Sequence, residues 1–412
     1  MGAGKSMLIE WTTKNNTKYV LCQNDNHVEK VLLTALVGVG ANQDGKTTGL
    51  AHFLEHMLVM FIKSFKNMKE IEYHLIAYTD YDKTIYQIEC DNNEKNIAKC
   101  IFLLQDVLNG TYLNKEYIDE VKRDIINEYH NMYQNKKFQN QNTHIFECKL
   151  PIKMPIGSLN DIKSITFTQV KDYYYEHYQN APLAIITAGA INQEFLVDFL
   201  SINFHDAYKR KNWDSYSGKY SENDIGNRYS IIFNNQYNSV GIYLKTYQNH
   251  FAVKCLDSRV LEDICFVLIE NLLTDYLFKF YKQKTDVKCT IIKYCNSYQY
   301  LCIDIDSVSS YSELSNMINP YFLYQFNNYI KTVLSQESLD IFKDAYKKNI
   351  VNNYRIDNTQ LSNEVINQIL YGEIIYSETN YLNILNSMSL KQILQKLNSW
   401  LRTDNIDTVS TK

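Results

Sequence analysis

Two histidines and a glutamate lie close together in the segment from Gly49 to Leu58, which reads GLAHFLEHML. His52 and His56 are four residues apart, so on a helix both imidazoles project from the same side and can bind one metal ion. Glu55 shares that side, where a carboxylate can take a proton from water as the water attacks a carbonyl. The order His-x-x-Glu-His therefore predicts a zinc site that hydrolyses peptide bonds.

The other residues of this segment have the pattern of a helix with one apolar stripe. The apolar residues recur at helical spacing: Leu50, Phe53, Leu54, Met57, Leu58 and Phe61. The two histidines and Glu55 fall on the opposite side. One interpretation is that this opposite side is simply solvated. Val59 in its middle is unexpected for a solvated face, so we favour a face turned toward a metal site.

A catalytic zinc usually has three protein ligands, and Glu128 is the candidate for the third. The segment from Tyr117 to Met132 has a helical apolar stripe, and Glu128 follows Val121 by seven residues and points into it. A buried, unpaired carboxylate is unfavourable, and a bound cation would remove that cost. The alternative is a glutamate whose carboxylate reaches solvent at the edge of the stripe.

Strands and helices are predicted in an order that occurs twice. The first half predicts a hairpin of strands at 18–22 and 31–39, a helix over 50–66, two strands within 71–90, helices over 93–109 and 115–134, and a buried strand at 182–190. The polar stretch 209–224 predicts a linker. Beyond it the order recurs without a histidine-bearing helix. We therefore expect a catalytic domain over 1–208 and a related, non-catalytic domain over 225–412.

Composition narrows the class of protein. With 45% hydrophobic residues, 21% charged residues and a net charge of −4, the chain has a globular composition and no basic surface for nucleic acid. No apolar run approaches the roughly 20 residues that span a bilayer. The nine cysteines include no Cys-x-x-Cys pair, and the start lacks the apolar core of a secretory signal. We therefore expect reduced thiols and a cytoplasmic location.

These motifs together resemble the pitrilysin/insulinase family of zinc peptidases, in particular its processing-peptidase-like branch. The segment 49–58 resembles the zinc helix of that family, and Glu128 follows His56 after 71 intervening residues, as the family spacing requires. The segment AYTDYDKTIY, residues 77–86, resembles the family's Ala-aromatic-Thr strand, its turn and the following strand. Two further landmarks are resembled by residues 155–158 and 178–183.

The resemblance implies an α+β fold of two related domains, each an antiparallel-rich sheet packed with helices, that forms half of a clamshell. It implies one Zn2+ per chain, with His52, His56 and Glu128 as ligands and Glu55 as the catalytic residue. A peptide substrate would be held as an added strand along residues 76–78, which are Ile76, Ala77 and Tyr78.

Two departures from the family pattern bear on the site. Where the family often carries a second glutamate, seven residues before the metal-binding one, this chain has Val121; the nearby Glu120 and Asp124 are candidates for orienting a ligand. The family's second domain usually supplies an Arg and a Tyr seven apart, and the corresponding segment 280–289, FYKQKTDVKC, has no such pair.

The missing pair favours a heterodimer in which a homologous partner chain supplies the Arg and Tyr. The two chains of this heterodimer would process a ribosomally made, bacteriocin-like precursor or its leader peptide. One alternative is a homodimeric general oligopeptidase in which Lys282 or Lys284 replaces the Arg. Another is a non-catalytic structural subunit of the same fold.

Overall fold

The computed structural model describes residues 7–25, 28–64, 73–147, 150, 152–204, 208–213, 229–234, 238–245, 256–295, 298–307, 313, 316–319, 321–353, 357–373, 375, 377–401 and 406–411. These residues form two compact units. Unit 1 comprises Met1–Met132, Ile152–Ser217 and Arg355–Tyr371, and unit 2 comprises Tyr133–Pro151, Gly218–Tyr354 and Gly372–Lys412.

Unit 1 contains a six-stranded sheet. Its strands are β1 (Met7–Thr12), β2 (Lys18–Gln23), β3 (Lys30–Val37), β4 (Tyr73–Thr79), β5 (Thr84–Asp91) and β6 (Leu183–Gly189). The strand order is β1-β2-β6-β3-β5-β4, and only the β2–β6 pairing is parallel. All seven residues of β6, LAIITAG, are buried, as a central strand requires.

The predicted hairpin of β2 and β3 is wrong, because β6 lies between these two strands. Lys18 of β2 is opposite Ala184 of β6, and Leu32 of β3 is opposite Ala188. The two strands are consecutive in sequence, but the most apolar strand of the unit comes about 150 residues later and occupies the centre of the sheet. The predicted hairpin of β4 and β5 is confirmed by their antiparallel register.

The described part of unit 1 also contains seven α-helices: α1 (Leu50–Ser64), α2 (Glu94–Leu108), α3 (Ile118–Met132), α5 (Leu159–Ser164), α6 (Phe167–Tyr173), α7 (Gln193–Asn203) and α11 (Asn358–Tyr371). The helix α2 shows why these segments are helical. Its buried residues recur every three or four positions, and the side chain of Asn93 caps its first turn by accepting from Asn96 N.

Unit 2 contains a five-stranded sheet of β7 (Tyr229–Asn234), β8 (Ser239–Lys245), β9 (Thr285–Cys295), β10 (Tyr298–Ser307) and β11 (Ile406–Thr411), in the order β11-β7-β8-β10-β9. Only the β11–β7 pairing is parallel. Its helices are α4 (Lys136–Glu147), α8 (Leu256–Tyr281), α9 (Phe322–Val333), α10 (Gln336–Asn353), α12 (Glu378–Ser387) and α13 (Leu390–Trp400).

The two units share a strand–helix–hairpin arrangement. In unit 1, β3 is followed by α1 and by a hairpin whose second strand, β5, pairs back onto β3 and leaves β4 at the sheet edge. In unit 2, β8, α8 and the β9–β10 hairpin repeat this arrangement. The helix α8 takes the place of α1 and contains no histidine. The predicted α+β class with two related, antiparallel-rich units is therefore confirmed.

The units are discontinuous in sequence, unlike the contiguous domains predicted at 1–208 and 225–412. The segment of α4 belongs to unit 2, and the segment of α11 belongs to unit 1, where it lies on β2, β3 and β6. Polar contacts fix α11 there: the Oγ atoms of Ser362 and Thr34 are 2.9 Å apart. Residues 214–224 of the predicted linker lie outside the described residues. None of the described helices has the length and apolarity needed to cross a membrane.

Asn358 is the residue of α11 whose loss we expect to destabilise unit 1. Its buried side chain accepts a hydrogen bond from Asn24 Nδ2 at 2.9 Å and donates to the carbonyl of Lys30 at 3.0 Å. Asn358→Ala removes both bonds, so unfolding should become easier by about 1–3 kcal/mol. Urea denaturation measures this difference, and Gln360→Ala on the exposed side of the same helix is the control. Equal stability of the two variants would contradict the role of Asn358.

A buried histidine, His144, joins α4 to the sheet of unit 2. Its Nδ1 is 2.6 Å from Ser230 Oγ on β7, and its ring stacks on Tyr243 of β8 with centroids 4.2 Å apart. Tyr300 of β10 meets the ring edge-on at 4.6 Å. Burial lowers the pKa of His144 to about 3. The native state therefore holds this imidazole neutral.

This burial predicts that acid destabilises unit 2 through His144. The unfolded chain binds a proton at His144 below about pH 6.5, whereas the native chain does so only near pH 3. The contribution of neutral His144 to the free energy of unfolding is therefore complete above about pH 6.5 and is lost as the pH falls toward about 3. In His144→Phe, the fall in thermal midpoint between about pH 7.5 and about pH 5 should be smaller than in the unsubstituted chain. The exposed His130→Phe is the control, and an unchanged fall in His144→Phe would refute the assignment.

Candidate metal centre

The start of α1 is held by a buried carboxylate, Asp44. Its two oxygens accept hydrogen bonds from Gly49 N at 2.6 Å and from Ala51 N at 2.9 Å. Gly49 has φ +86°, in the left-handed region that glycine tolerates, and its carbonyl accepts the first helical bond from Phe53 N. The helix therefore begins at a fixed point, Leu50, two residues before the first histidine.

A second loop contacts this helix start at close range. A Cβ on Gly157 would lie 2.7 Å from the carbonyl oxygen of Thr48 and 2.8 Å from Gly49 Cα, so only glycine fits there without a shift. Asp161, four residues later, accepts from both the backbone N and the Oγ1 of Thr48, at 3.1 and 2.6 Å. The landmark predicted at 155–158 thus braces the helix that carries the histidines.

The structure brings the three predicted ligands together. His52 Nε2 and His56 Nε2 are 3.1 Å apart, and Glu128 Oε2 on α3 is 3.4 Å from the first and 3.3 Å from the second. His52 is buried, His56 is largely buried, and the Glu128 side chain is 41% exposed. The two helices therefore present three ligand atoms at the corners of a nearly equilateral triangle.

This triangle has the size that a tetrahedral zinc ion requires. Nitrogen and oxygen ligands lie about 2.0–2.2 Å from zinc, which places neighbouring ligand atoms about 3.3–3.6 Å apart. The observed separations of 3.1–3.4 Å agree with this within a few tenths of an ångström. Two imidazoles and one carboxylate are also the donor set of several catalytic zinc sites. The residues present therefore fit the predicted ion.

Glu55 lies beside this triangle but is not a corner of it. Its Oε2 is 3.9 Å from His52 Nε2, although the carboxylate and both imidazoles lie close enough together for all three to be potential ligands. We assign the third ligand to Glu128, whose oxygen is nearer to His52. Thr79 Oγ1 on β4 donates a hydrogen bond to Glu55 Oε2 at 3.3 Å. Glu55 is therefore not needed as a ligand, and its carboxylate can accept or donate a proton beside the three predicted ligands.

The ionisable groups of the cluster shift one another's pKa values. Burial alone would lower the pKa of His52, but the hydrogen bond to Glu128 and the charge of Glu55 raise it overall. Burial would raise the pKa of Glu128, but the two imidazoles hold it below its usual value. Burial raises the pKa of Glu55. The two carboxylates therefore favour positive charge at the imidazoles, and a bound cation would supply such charge.

A cavity of about 340 Å³ opens onto the cluster. It is bounded by the polar side of α1, by Glu128 and by β4; the lining residues are His52, Glu55, His56, Val59, Leu75, Ala77, Tyr78, Thr79 and Glu128. Val59 is 7% exposed, so the side of α1 opposite its apolar stripe is not solvated. This agrees with the interpretation that the sequence favoured.

The predicted substrate strand is β4, at the edge of the sheet. Ala77 and Tyr78 line the cavity, whereas Ile76 does not line it and is 44% exposed. The side chains of β4 alternate in exposure, and those of Leu75, Ala77 and Thr79 are the less exposed set. Of the three predicted residues, Ala77 and Tyr78 line the cavity and Ile76 does not.

The two residues proposed to orient a ligand do not contact the cluster. Glu120 is exposed and Asp124 is half-buried, and within the described part of the chain neither forms a hydrogen bond or ion pair with His52, His56 or Glu128. The residues that sequence reasoning missed are Asp44 and Thr79. The signal for Asp44 was its position before a glycine and a helix, which is typical of a capping carboxylate.

Comparison with known proteins supports the motif assignment. Residues 19–151 match the family described as Insulinase (Peptidase family M16). The chain is 29% identical over 164 residues to the mitochondrial-processing peptidase subunit beta of Saccharomyces cerevisiae, covering 37% of this chain and 35% of that protein. It is 23% identical over 261 residues to the probable zinc protease PqqL of Escherichia coli, covering 58% of this chain and 27% of that protein. The predicted resemblance to the family is confirmed.

Solved structures show that the likeness of fold extends over nearly the whole chain. A protease from Helicobacter pylori matches with a TM-score of 0.76 at 16% identity, covering 99% of each chain. The periplasmic protease PqqL from Escherichia coli matches with a TM-score of 0.71 at 16% identity, covering 98% of this chain and 47% of that one. At these identities the likeness establishes the fold alone. The chain spans about half the length of PqqL.

The triangle predicts that Glu128 is needed for metal binding. Glu128→Gln replaces an anionic ligand by a weaker neutral one, so zinc affinity should fall by at least about 100-fold. Zinc per chain, measured by mass spectrometry after dialysis against a chelator, tests this. The control is Asp119→Asn, an exposed change on the same helix that should retain zinc. Full zinc in Glu128→Gln would exclude Glu128 as the third ligand.

Proposed function

We propose that this insulinase-family chain is a zinc metalloendopeptidase that hydrolyses short or unfolded peptides. The observation that carries the proposal is the triangle of His52, His56 and Glu128 with Glu55 beside it, open to a cavity. A scaffold protein would have no use for four ionisable groups held in this arrangement, since their burial is unfavourable.

In the proposed mechanism His52, His56 and Glu128 hold the ion, and Glu55 moves the proton. Zinc, when bound, would polarise the scissile carbonyl and make water a stronger nucleophile. Glu55 accepts a proton from the attacking water and then delivers it to the departing amine. Its burial supports this role, because a carboxylate with a raised pKa can both accept and return a proton.

The proposed substrate binds as an extended strand along β4. This strand is at the sheet edge, so its outer backbone groups can pair with a peptide. Ala77 and Tyr78 lie on both the strand and the cavity wall, so a peptide held there would pass the metal centre. Backbone pairing selects extended chains over folded proteins and reads little of their sequence.

A partner chain forms part of the proposal. The yeast relative is by its name one subunit of a processing peptidase, and PqqL is about twice as long as this chain. We propose that a homologous chain supplies the Arg and Tyr missing from 280–289 and closes the chamber. Maturation of a ribosomally made peptide is the proposed biological role, and the absence of that Arg–Tyr pair is the feature that supports it.

A cytoplasmic location is also proposed. Six cysteines of the described part of the chain are free thiols: Cys22, Cys90, Cys100, Cys265, Cys289 and Cys302. Free thiols are typical of proteins in reducing compartments.

Glu55→Gln tests the proposed activity. The amide cannot accept the proton, so cleavage of a quenched, unstructured peptide should fall by roughly 10²–10⁴-fold while zinc content stays the same. The control is the exposed Glu94→Gln, which should cleave normally. Normal cleavage by zinc-loaded Glu55→Gln would refute the mechanism.

The same assay separates a self-sufficient enzyme from half of a pair. Cleavage by the chain alone that is lost in Glu55→Gln would exclude a required partner. No cleavage by zinc-loaded chain would favour the two-chain enzyme, and activity should then appear on adding a homologous chain that carries the Arg–Tyr pair.

A further inference from the structure

The inference concerns Thr79, the last residue of β4, and it rests on the proposed function. We propose that Thr79 is a positioning residue that orients Glu55 by a hydrogen bond from the substrate-binding strand. Thr79 would thereby connect the strand that binds the peptide to the group that moves the proton.

The contact stands out because Glu55 has so few partners. Its side chain is 4% exposed, and within the described residues Thr79 Oγ1 is its hydrogen-bond donor, at 3.3 Å from Oε2. A carboxylate without a donor can rotate about its last bond, since such terminal torsions are broad. The Thr79 hydroxyl therefore selects one orientation, in which Oε2, the oxygen 3.9 Å from His52 Nε2, is hydrogen-bonded and Oε1 is free to accept a proton.

The hydroxyl of Thr79 has a second possible acceptor. Thr84, its cross-strand neighbour at the end of the hairpin, has its Oγ1 3.5 Å from Thr79 Oγ1. Thr84 Oγ1 donates its own proton to the carbonyl of Val39 at 2.8 Å. A threonine hydroxyl has one proton, so Thr84 can only accept from Thr79, and at 3.3 Å the Glu55 oxygen is the nearer of the two acceptors.

This arrangement suits a carboxylate that gains and loses a proton during the reaction. When Glu55 is ionised, Thr79 donates to it. When the free oxygen, Oε1, carries the proton taken from water, Thr79 can keep donating to Oε2. Thr79 neither gains nor loses a proton, and the proton on Glu55 still goes to the leaving amine. The carboxyl group therefore keeps a partner in both states without moving.

The position of Thr79 is fixed by the turn that follows it. Asp80 N donates to the carbonyl of Lys83 at 2.8 Å, and the Lys83 ammonium forms ion pairs with Asp80 at 2.6 Å and Asp82 at 3.5 Å. Tyr371 of α11 donates to Asp82 Oδ2 at 3.3 Å. These contacts hold the end of β4, as a precise hydrogen bond to a catalytic group requires.

A glycine lets this turn come close to the core. A Cβ on Gly40 would lie 2.4 Å from the carbonyl oxygen of Asp80, so no other residue fits at this position without a shift. The backbone N of Ala41 donates to that same carbonyl at 3.0 Å. The turn is therefore anchored on the side of β3 as well as on the side of α11.

The test compares Thr79→Val, which keeps the shape and removes the hydroxyl, with Thr79→Ser, which keeps the hydroxyl. Thr79→Val should lower kcat by about 10- to 100-fold, the effect of losing one hydrogen bond to a charged group, with KM and zinc content unchanged. Thr79→Ser should retain kcat within about threefold. The same change on the exposed β1 residue, Thr12→Val, is the control.

A crystal structure of each zinc-loaded variant gives a readout that does not need activity. We expect the Glu55 carboxylate to keep its orientation in the unsubstituted chain and in Thr79→Ser, and to rotate or become disordered in Thr79→Val. The inference would be overturned if the Glu55 carboxylate kept its orientation in Thr79→Val. It would also be overturned if Thr79→Val and Thr79→Ser lost kcat equally. If neither the unsubstituted chain nor the variants cleave peptide, alone or with a homologous chain that carries the Arg–Tyr pair, the proposed function is at fault, and the orientation of Glu55 alone decides the role of Thr79.

Discussion

The burial of ionisable side chains on α1 is the constraint on which unit 1 depends. His52 and Glu55 are 6% and 3% exposed, on a helix whose apolar residues from Leu50 to Met60 are also buried. Charges in such surroundings are unfavourable unless other groups pair with them. The helix α3 therefore brings Glu128 to both imidazoles, and β4 brings Thr79 to Glu55. These two elements therefore supply the partners that the polar side of α1 requires.

Unit 2 shows the same arrangement without this requirement. Its α8 follows β8 as α1 follows β3, and the residues that α8 buries are mostly apolar, with Glu262 paired to Lys396 at 3.0 Å. The strand–helix–hairpin arrangement is thus stable without a metal centre. The site is an addition to this fold, made by a few residues on α1, α3 and β4.

Local patterns predicted the parts of the site that lie within single elements. The periodicity of 50–61 gave α1 and the direction of its histidines, and the seven-residue step from Val121 put Glu128 on the inner side of α3. The polar turn at 80–82 predicted the β4–β5 hairpin. In each case the evidence lay within about twenty residues of the element it described.

What the sequence could not predict depends on contacts between distant segments. Nothing near 18–39 shows that β6, formed by residues 183–189, will separate β2 from β3. Likewise, α4 belongs to unit 2 and α11 belongs to unit 1, although each lies in sequence between segments of the other unit. The polar contacts of His144 on α4 and of Asn358 on α11 are with residues far away in the chain. Thr79 belonged to a recognised motif, but a threonine in a strand is ordinary by propensity. Only its distance to Glu55 distinguishes it.

The geometry of the cavity also limits which substrates the proposed enzyme can accept. The metal centre lies between α1 and the edge strand β4, and about 340 Å³ of space leaves room for a few side chains. A folded protein cannot insert a closed loop there without breaking its own backbone pairing, whereas an unfolded segment gains pairing with β4. The proposed selection for extended chains therefore rests on the position of the site at a sheet edge and needs no recognition of the substrate's side chains.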